Sequence, residues 1–424
     1  MKKVLLAVAL TALCGLTAST YADVQNIRIS GDIRVRGYFA DQGDQNSQAA
    51  QFIAERVRVS VEADLEDHVL AVVTLQGSGI WGQEYDWNKG SSRIWNVGVS
   101  EAYVQLRELF YSPATLTLGR QSLNYGAGLI ISSFDNIYSF DAGRLVLDYH
   151  PLTIDIVGAQ VWNDQGYNAS GDNNPQEDLM FINAKYEANS SIVKTVEGYF
   201  GWLSETRYWK SSSSPMIIGL RADLTPVENL TASLEGAYEF GDAGTYSSSD
   251  NTLSAFIAKA NLAYAMKSVA WSPVFNASYT YAQGDSGDGR HAFQPWFGVA
   301  KDYNGYVFAP NLSNIQIVNL GASVTPCKNT TLALQGYYYM KANKNGAQGH
   351  YYGDWESNLG GVDMPTGYNT SRDLGSEIDA IVGYDYSKDV RCQLVYGMAI
   401  PGEAFEGFAN KVVSEVRGEI NVKF

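Results

Sequence analysis

The chain has 424 residues, a formal net charge of −15 at pH 7 and only 18% charged residues. That acidic balance excludes a nucleic-acid partner, which calls for basic surface. Its four His, namely His68, His150, His291 and His350, are scattered without metal-ligand spacing, so neither a metal nor another cofactor is expected.

The first element is a leader. Lys2 and Lys3 precede the apolar run Val4 to Leu16, and Thr20-Tyr21-Ala22 stands before Asp23. A basic start, a short apolar core and small residues at the cleavage positions predict a signal peptide over residues 1–22. The apolar core is shorter than the roughly 20 residues that span a bilayer as a helix. Cys14 leaves with the leader, and Leu13 beside it argues against lipid attachment.

From residue 23 to residue 424 one pattern repeats: a run of alternating polar and apolar residues, then a turn. In the first run, 25–39, Arg28, Ser30, Asp32, Arg34 and Arg36 share one parity, opposite Ile29, Ile33 and Val35. In the second, 51–65, Arg56, Arg58, Ser60, Glu62 and Asp64 oppose Val57, Val59 and Val61. Further strands are predicted near 68–79, 98–109, 115–122, 144–150, 153–162, 178–188, 193–205, 216–225, 230–241 and 253–266. The series ends with 272–283, 315–325, 330–341, 376–386, 391–400 and 412–424. In the last run Val416, Gly418, Ile420, Val422 and Phe424 face one way, and Glu415, Arg417, Glu419, Asn421 and Lys423 the other. Successive side chains of a strand point to opposite faces, so each run has one greasy and one wet face.

No stretch after residue 22 is apolar enough for a membrane helix, and no composition break marks a domain boundary. Together these predict an all-β fold: one transmembrane, antiparallel, up-and-down β-barrel of about eighteen strands over residues 23–424. Connections alternate between short turns, such as Glu66-Asp67 and Pro151-Leu152, and long loops such as 80–97, 123–143, 284–314 and 342–375. Short periplasmic turns and long external loops are the outer-membrane arrangement. Tyr149, Tyr186, Tyr264, Tyr384 and Tyr386 precede short turns on the apolar parity and predict an aromatic girdle, with Phe424 ending the last strand alike. Cys327 and Cys392 sit beside neighbouring short turns, which leaves a bridge and two separate thiols both open. Gly284-Asp285-Ser286-Gly287-Asp288-Gly289 faintly resembles a calcium loop without its full ligand pattern.

Catalysis finds no motif: neither a nucleophile elbow around a Ser nor a His-Glu helix motif is present. The stronger signal is basic. Closure of a barrel puts the last strand beside the first. Arg417, Arg34, Arg36, Arg56 and Arg58 should therefore crowd one side of the lumen, and Arg107, Arg144 and Arg221 also take inward parity. Such a wall favours anions. It serves equally as a structural ladder, with Asp32, Glu55, Glu62, Glu101 and Glu415 as partners. Inward Tyr103, Tyr337 and Tyr339 either stack on sugar rings or narrow the lumen.

One stretch carries a resemblance. Ser100-Glu101-Ala102-Tyr103-Val104-Gln105-Leu106 is followed by Leu118-Gly119-Arg120-Gln121-Ser122-Leu123-Asn124-Tyr125-Gly126, then by Phe140-Asp141-Ala142-Gly143-Arg144-Leu145. This resembles the alginate-export family of outer-membrane barrels, through Glu101, Tyr103, Gly119, Arg120, Gln121, Tyr125, Gly126, Asp141 and Arg144. The resemblance implies an eighteen-stranded barrel passing an anionic exopolysaccharide through an Arg-rich lumen, with Arg120 and Arg144 as its pore arginines. Simple parity turns Arg120 to lipid, and a bulge near Gly119 would turn it inward. Ala127 and Leu129 depart from the family pattern, and the apolar Leu129-Ile130-Ile131 either folds inward as a plug or lies on the rim.

The expected protein is a monomeric pore in the outer membrane of a Gram-negative bacterium, not an enzyme. Its cargo would be anionic sugars, polysaccharide or other small anionic solutes. A general, weakly selective porin and a barrel hydrolase are the alternatives. Lipid would surround it, and periplasmic export components would be possible partners. The terminal Phe424 resembles the signal read by the barrel-insertion machinery.

Overall fold

The computed structural model describes residues 26–41, 50–66, 68–82, 96–133, 139–163, 176–207, 210–244, 252–285, 291–298, 304–346, 370–405 and 411–424. The expected leader, residues 1–22, and residues 286–289 of the calcium-like loop lie outside them.

The sheet opens with β1 (Asn26–Asp41), β2 (Ala50–Glu66), β3 (Val69–Ile80) and β4 (Asn96–Leu106). A single 3-10 turn, Leu109–Tyr111, leads to β5 (Ala114–Gln121), β6 (Phe140–Tyr149), β7 (Leu152–Asn163) and β8 (Gln176–Glu187). The far side holds β9 (Val193–Arg207), β10 (Lys210–Val227), β11 (Leu230–Asp242), β12 (Thr252–Ala265) and β13 (Val274–Ala282). Then follow β14 (Ile315–Cys327), β15 (Thr330–Met340), β16 (Asp373–Asp385), β17 (Val390–Pro401) and β18 (Val413–Lys423). Each strand pairs antiparallel with its neighbours in sequence, and β18 returns to β1, so the eighteen strands close into a barrel. Closure matters because lipid cannot satisfy an open edge of backbone N–H and C=O groups.

Alternation decides which face is which. On β1, Asp32, Arg34, Arg36 and Tyr38 are buried in the interior while Ile29, Ile33 and Phe39 are exposed on the outside. The expected girdle tyrosines Tyr149, Tyr186, Tyr264, Tyr384 and Tyr386 are all exposed, as is Phe424. They stand near the short-turn end, where amphipathic rings suit the membrane interface.

The strands occur where the alternating runs place them, with two informative differences. β6 begins at Phe140 rather than 144, and β10 begins at Lys210 rather than 216. The added segment of β10 includes Ser211 to Pro215, a stretch without alternation. It continues the ladder against β9 past a register shift between Lys210 and Ser213. Backbone pairing and one side-chain bond, from the Ser213 hydroxyl to Glu205 at 2.7 Å, hold it, and neither leaves a periodicity to read.

A second feature sets the site. On β12 the inward residues Leu253, Ala255 and Ile257 are buried and apolar, and only then do Lys259 and Asn261 follow. β14 repeats the change, from Ile315 and Ile317 to Asn319. The outer half of this wall is therefore covered, and the inner half is wet.

The two cysteines are separate thiols. Cys327 pairs with Thr330, Thr330 with Tyr384, and Tyr384 with Cys392. Three strand spacings of about 4.8 Å set them far beyond disulfide reach. Thiol titration of the unfolded, unreduced mature protein should find two thiols per chain; none would show a bridge.

Candidate functional site

The lumen has two unlike walls. The first is made by β18, β1 and β2. The register sets Arg34 opposite Arg56, Asp32 opposite Arg58, Arg36 opposite Glu419 and Tyr38 opposite Arg417. Asp32 accepts from Arg56 at 3.0 Å and from Arg58 at 2.5 Å, and Arg36 pairs with Glu419 across the β1–β18 seam. Arg417 is only 2% exposed, and its guanidinium lies 4.4 Å from the centre of the Tyr306 ring, a cation–π contact. Arg58 keeps 25% of its side chain accessible. Near the periplasmic end Arg28 is closed by Glu62 and Asp64, each at 2.9 Å. Beyond that cluster, the described inner-face residues of these strands include five arginines and three acids, Asp32, Glu415 and Glu419. Glu55 is not a partner in the lumen: it shares the outward parity of Ile53 and accepts from the indole of Trp81 at 2.7 Å.

Farther round, Arg144 extends inward from β6. It pairs with Asp155 of β7 at 2.5 Å and lies 6.0 Å from the Tyr125 ring. Arg107 follows β4 and donates to Gln105 at 2.9 Å near the periplasmic end. Arg221 is held by Asp223 at 2.8 Å and Glu235 at 3.3 Å. Glu101 accepts from Ser122 at 2.6 Å, and Tyr103 stands half-buried beside it on the inner face of β4. Gln121 is buried and donates to the Ala142 carbonyl at 3.0 Å.

Arg120 is a correction. It does not face the lumen. Thr117 and Gln121 are buried inside while Leu118 is exposed outside, and Arg120 shares the parity of Leu118. It lies directly opposite Asp141, between inward Phe140 and Ala142, and the two form a bidentate pair at 2.9 and 3.0 Å on the outer surface. The ladder through β5 runs without a register shift. Gly119 takes φ +125° and brings its backbone so close to β4 that an added Cβ would sit 2.2 Å from the Ala102 carbonyl. This glycine thus serves a close approach rather than a bulge. The bulge lies on β4, where Glu101 pairs with Thr74 but Val99 with Leu75.

The second wall, β9 to β16, carries two loops folded into the barrel. Leu123, Leu129, Ile130 and Ile131 of the first are buried in one apolar cluster with Phe181 of β8 and Ile217 of β10. The second loop contributes Phe293, Phe297 and Phe308 to the same cluster. The loops join each other: Phe297 N–H donates to the Ile130 carbonyl at 2.8 Å, and Ser132 N–H to the Phe297 carbonyl at 3.0 Å. So the Leu129-Ile130-Ile131 segment is an inward plug and not a rim.

Carboxylates of the wall hold these loops. Gly126 N–H donates to Glu197 at 3.0 Å and Ala127 N–H to Glu235 at 2.7 Å. Glu239 accepts from Gln294 N–H at 2.9 Å and the Trp296 indole at 2.7 Å. Glu377 accepts three consecutive N–H groups, Tyr306 at 2.6 Å, Val307 at 2.7 Å and Phe308 at 2.9 Å, and Tyr339 O–H at 3.1 Å. Buried loop backbone needs acceptors, and these carboxylates supply them to loop N–H groups. These acids are functional residues that parity alone places in the lumen without revealing their task.

Among the described residues no group of three side chains is arranged to hold a metal. A family model described as alginate export matches residues 26–418. No protein of curated function matches the sequence. Among solved structures, OccAB1 of Acinetobacter baumannii is similar with a TM-score of 0.62 at 14% identity, covering 96% of this chain and 98% of that one. OccAB4 of the same organism gives 0.61 at 9% identity, over 96% of this chain and 100% of that one. OpdK of Pseudomonas aeruginosa, solved with vanillate, gives 0.59 at 10% identity, over 93% and 98%.

Proposed function

The chain belongs to the alginate-export family, and on that premise we propose that it passes anionic sugars and other small anionic solutes, guided by the arginines of β18, β1 and β2. It is an outer-membrane channel and not an enzyme. The observation that carries the finer reading is the imbalance on that wall, five arginines against three acids among its described residues, beside a lumen narrowed by the opposite loops. A charged wall at a narrowing concentrates counter-ions without binding them tightly, and weak binding permits release. No bond is made or broken. The barrel would act singly, since each chain closes its own sheet.

The test is ion selectivity in a planar bilayer under a salt gradient. The wild-type protein should prefer anions. A unit charge about 10 Å from the ion path contributes roughly 0.4 kcal/mol in water, with opposite sign for anion and cation. Arg58→Gln should therefore lower the anion-to-cation permeability ratio about fourfold at low salt, where screening is weak. An unchanged ratio would assign the arginines to pairing alone. The sharing of Asp32 by Arg56 and Arg58 favours that second reading, a general porin.

A further inference from the structure

Beneath the joined loops, on the periplasmic side, lies a chamber of about 980 Å³. Gly126, Ala127 and Tyr306 of the loops form part of its roof, and β10 to β16 form its wall. Its volume is at the upper end of small-molecule sites, about 300–1,000 Å³. The chamber stands on the wall opposite the arginine strip, and its chemistry is different.

Three amides from three adjacent strands meet edge to edge there. Asn276 of β13 donates to Asn319 of β14 at 2.9 Å and to Gln335 of β15 at 3.1 Å. Gln335 donates back to Asn276 at 3.2 Å, and Asn319 donates to Gln335 at 3.2 Å. Asn319 also donates to the Gly336 carbonyl at 3.2 Å, so the network fixes each amide's orientation and leaves one N–H of Gln335 and an acceptor position on each of Asn276 and Asn319. A side-chain amide offers both roles, which is what a hydroxyl, itself donor and acceptor, requires.

Three cations face the same space: Lys194 of β9, whose ammonium donates to the Ser190 carbonyl at 3.2 Å, Arg221 of β10, and Lys259 of β12. Lys259 of β12 lines the chamber and makes no hydrogen bond or ion pair with any described residue. Its cross-strand neighbour is Glu235, but that carboxylate is already occupied by Tyr199 O–H at 3.0 Å, Ala127 N–H at 2.7 Å and Arg221 at 3.3 Å. Its other cross-strand neighbour is Thr280, and Arg221, in register two strands away beyond Glu235, is closed by its own acids. Lys259 is thus an ammonium held in a sheltered lumen with its three donors still to be used. Tyr306, stacked on Arg417 at its other face, connects this chamber to the arginine wall.

We propose that the chamber is a holding site for a small polyhydroxylated anion, a sugar acid, with its carboxylate on Lys259 and its hydroxyls on the Asn276–Asn319–Gln335 amides. The proposal rests on the channel reading above but not on the arginine strip. The amides distinguish this ligand from a flat carboxylate, which has nothing for them to bind, and the ammonium distinguishes it from a neutral sugar.

The experiment is block of single-channel current by glucuronate, with glucose and benzoate as the two incomplete probes. Glucuronate should block at the lowest concentration. Lys259→Gln should weaken that block about tenfold, the loss of one charge-assisted contact worth about 1.4 kcal/mol. Lys259→Arg should retain the block, and each variant's heat-modifiable gel mobility reports that its barrel has folded. Asn319→Leu should bring glucuronate and benzoate to the same affinity. Equal block by benzoate in the wild type, or an unaltered block in Lys259→Gln, would overturn the proposal. Failure of Arg58→Gln to alter selectivity sinks only the arginine reading.

Discussion

Glu377→Ala is expected to raise single-channel conductance several-fold. Glu377 is 1% exposed, and its two oxygens take three consecutive N–H groups of the loop that ends against β14. Alanine removes every one of those acceptors and that of Tyr339 O–H. A buried donor without a partner costs about 1–3 kcal/mol. Three at once cost more than the local apolar contacts of Val307 and Phe308 can offset, so the segment should leave the wall for water. The sheet itself pairs through backbone and should still fold. Glu377→Gln keeps one good acceptor and sets an NH₂ against N–H groups, so its conductance should fall between the two. Conductance at the wild-type value in Glu377→Ala would show that the loop is held by its apolar cluster and not by the carboxylate.

Gly298→Val acts on the other joint, where the loops meet. An added Cβ there would lie 2.1 Å from the Leu129 carbonyl oxygen and 2.7 Å from its carbon, both backbone atoms. Neither can swing aside as a side chain would. The two backbone hydrogen bonds between Phe297 and the Ile130 to Ser132 segment should be lost together. We expect a wider, noisier channel and new cleavage by added protease within residues 123–133 or 291–298 of the folded protein. Protection equal to the wild type would mean that the loops do not depend on each other. Since the Glu377 joint and this one share no hydrogen bond, the double variant should conduct more than either single variant.

Much of this is legible in the sequence because a barrel wall is written in period two. Alternation alone puts Arg34, Arg56 and Arg417 on one side of the lumen, since closure sets the last strand beside the first. Their burial is not legible, because it depends on what crosses the lumen in front of them. A trace of the plug is in the sequence nevertheless. Ala255-Phe256-Ile257-Ala258 of β12 is apolar on both parities. A strand covered on both faces reads that way, and a wet lumen cannot supply the second cover. The loops carry one such mark, the apolar Leu129-Ile130-Ile131, which by itself leaves plug and rim both open. Gly126 and Ala127 are tied down by backbone N–H groups, and backbone is the same in every sequence. Arg120 follows simple parity, and it is the inward place implied by the resemblance that fails: a strand glycine fits a bulge or a close approach, and only the neighbouring strand tells which.

The seam between the first and last strands has a bearing on how the protein is made. Gly31 and Phe424 exchange two backbone hydrogen bonds across it, at 2.9 and 3.1 Å, and Arg36 meets Glu419 there. Tyr38 and Arg417 face each other over the same line. While the sheet is still open, residues at the two ends of the chain are strangers, and the charged strip is divided between opposite margins. The surface that would choose the cargo therefore comes into being in the last act of assembly. A chain stalled before that step would leak without discrimination, so sealing the wall and acquiring a preference are one event.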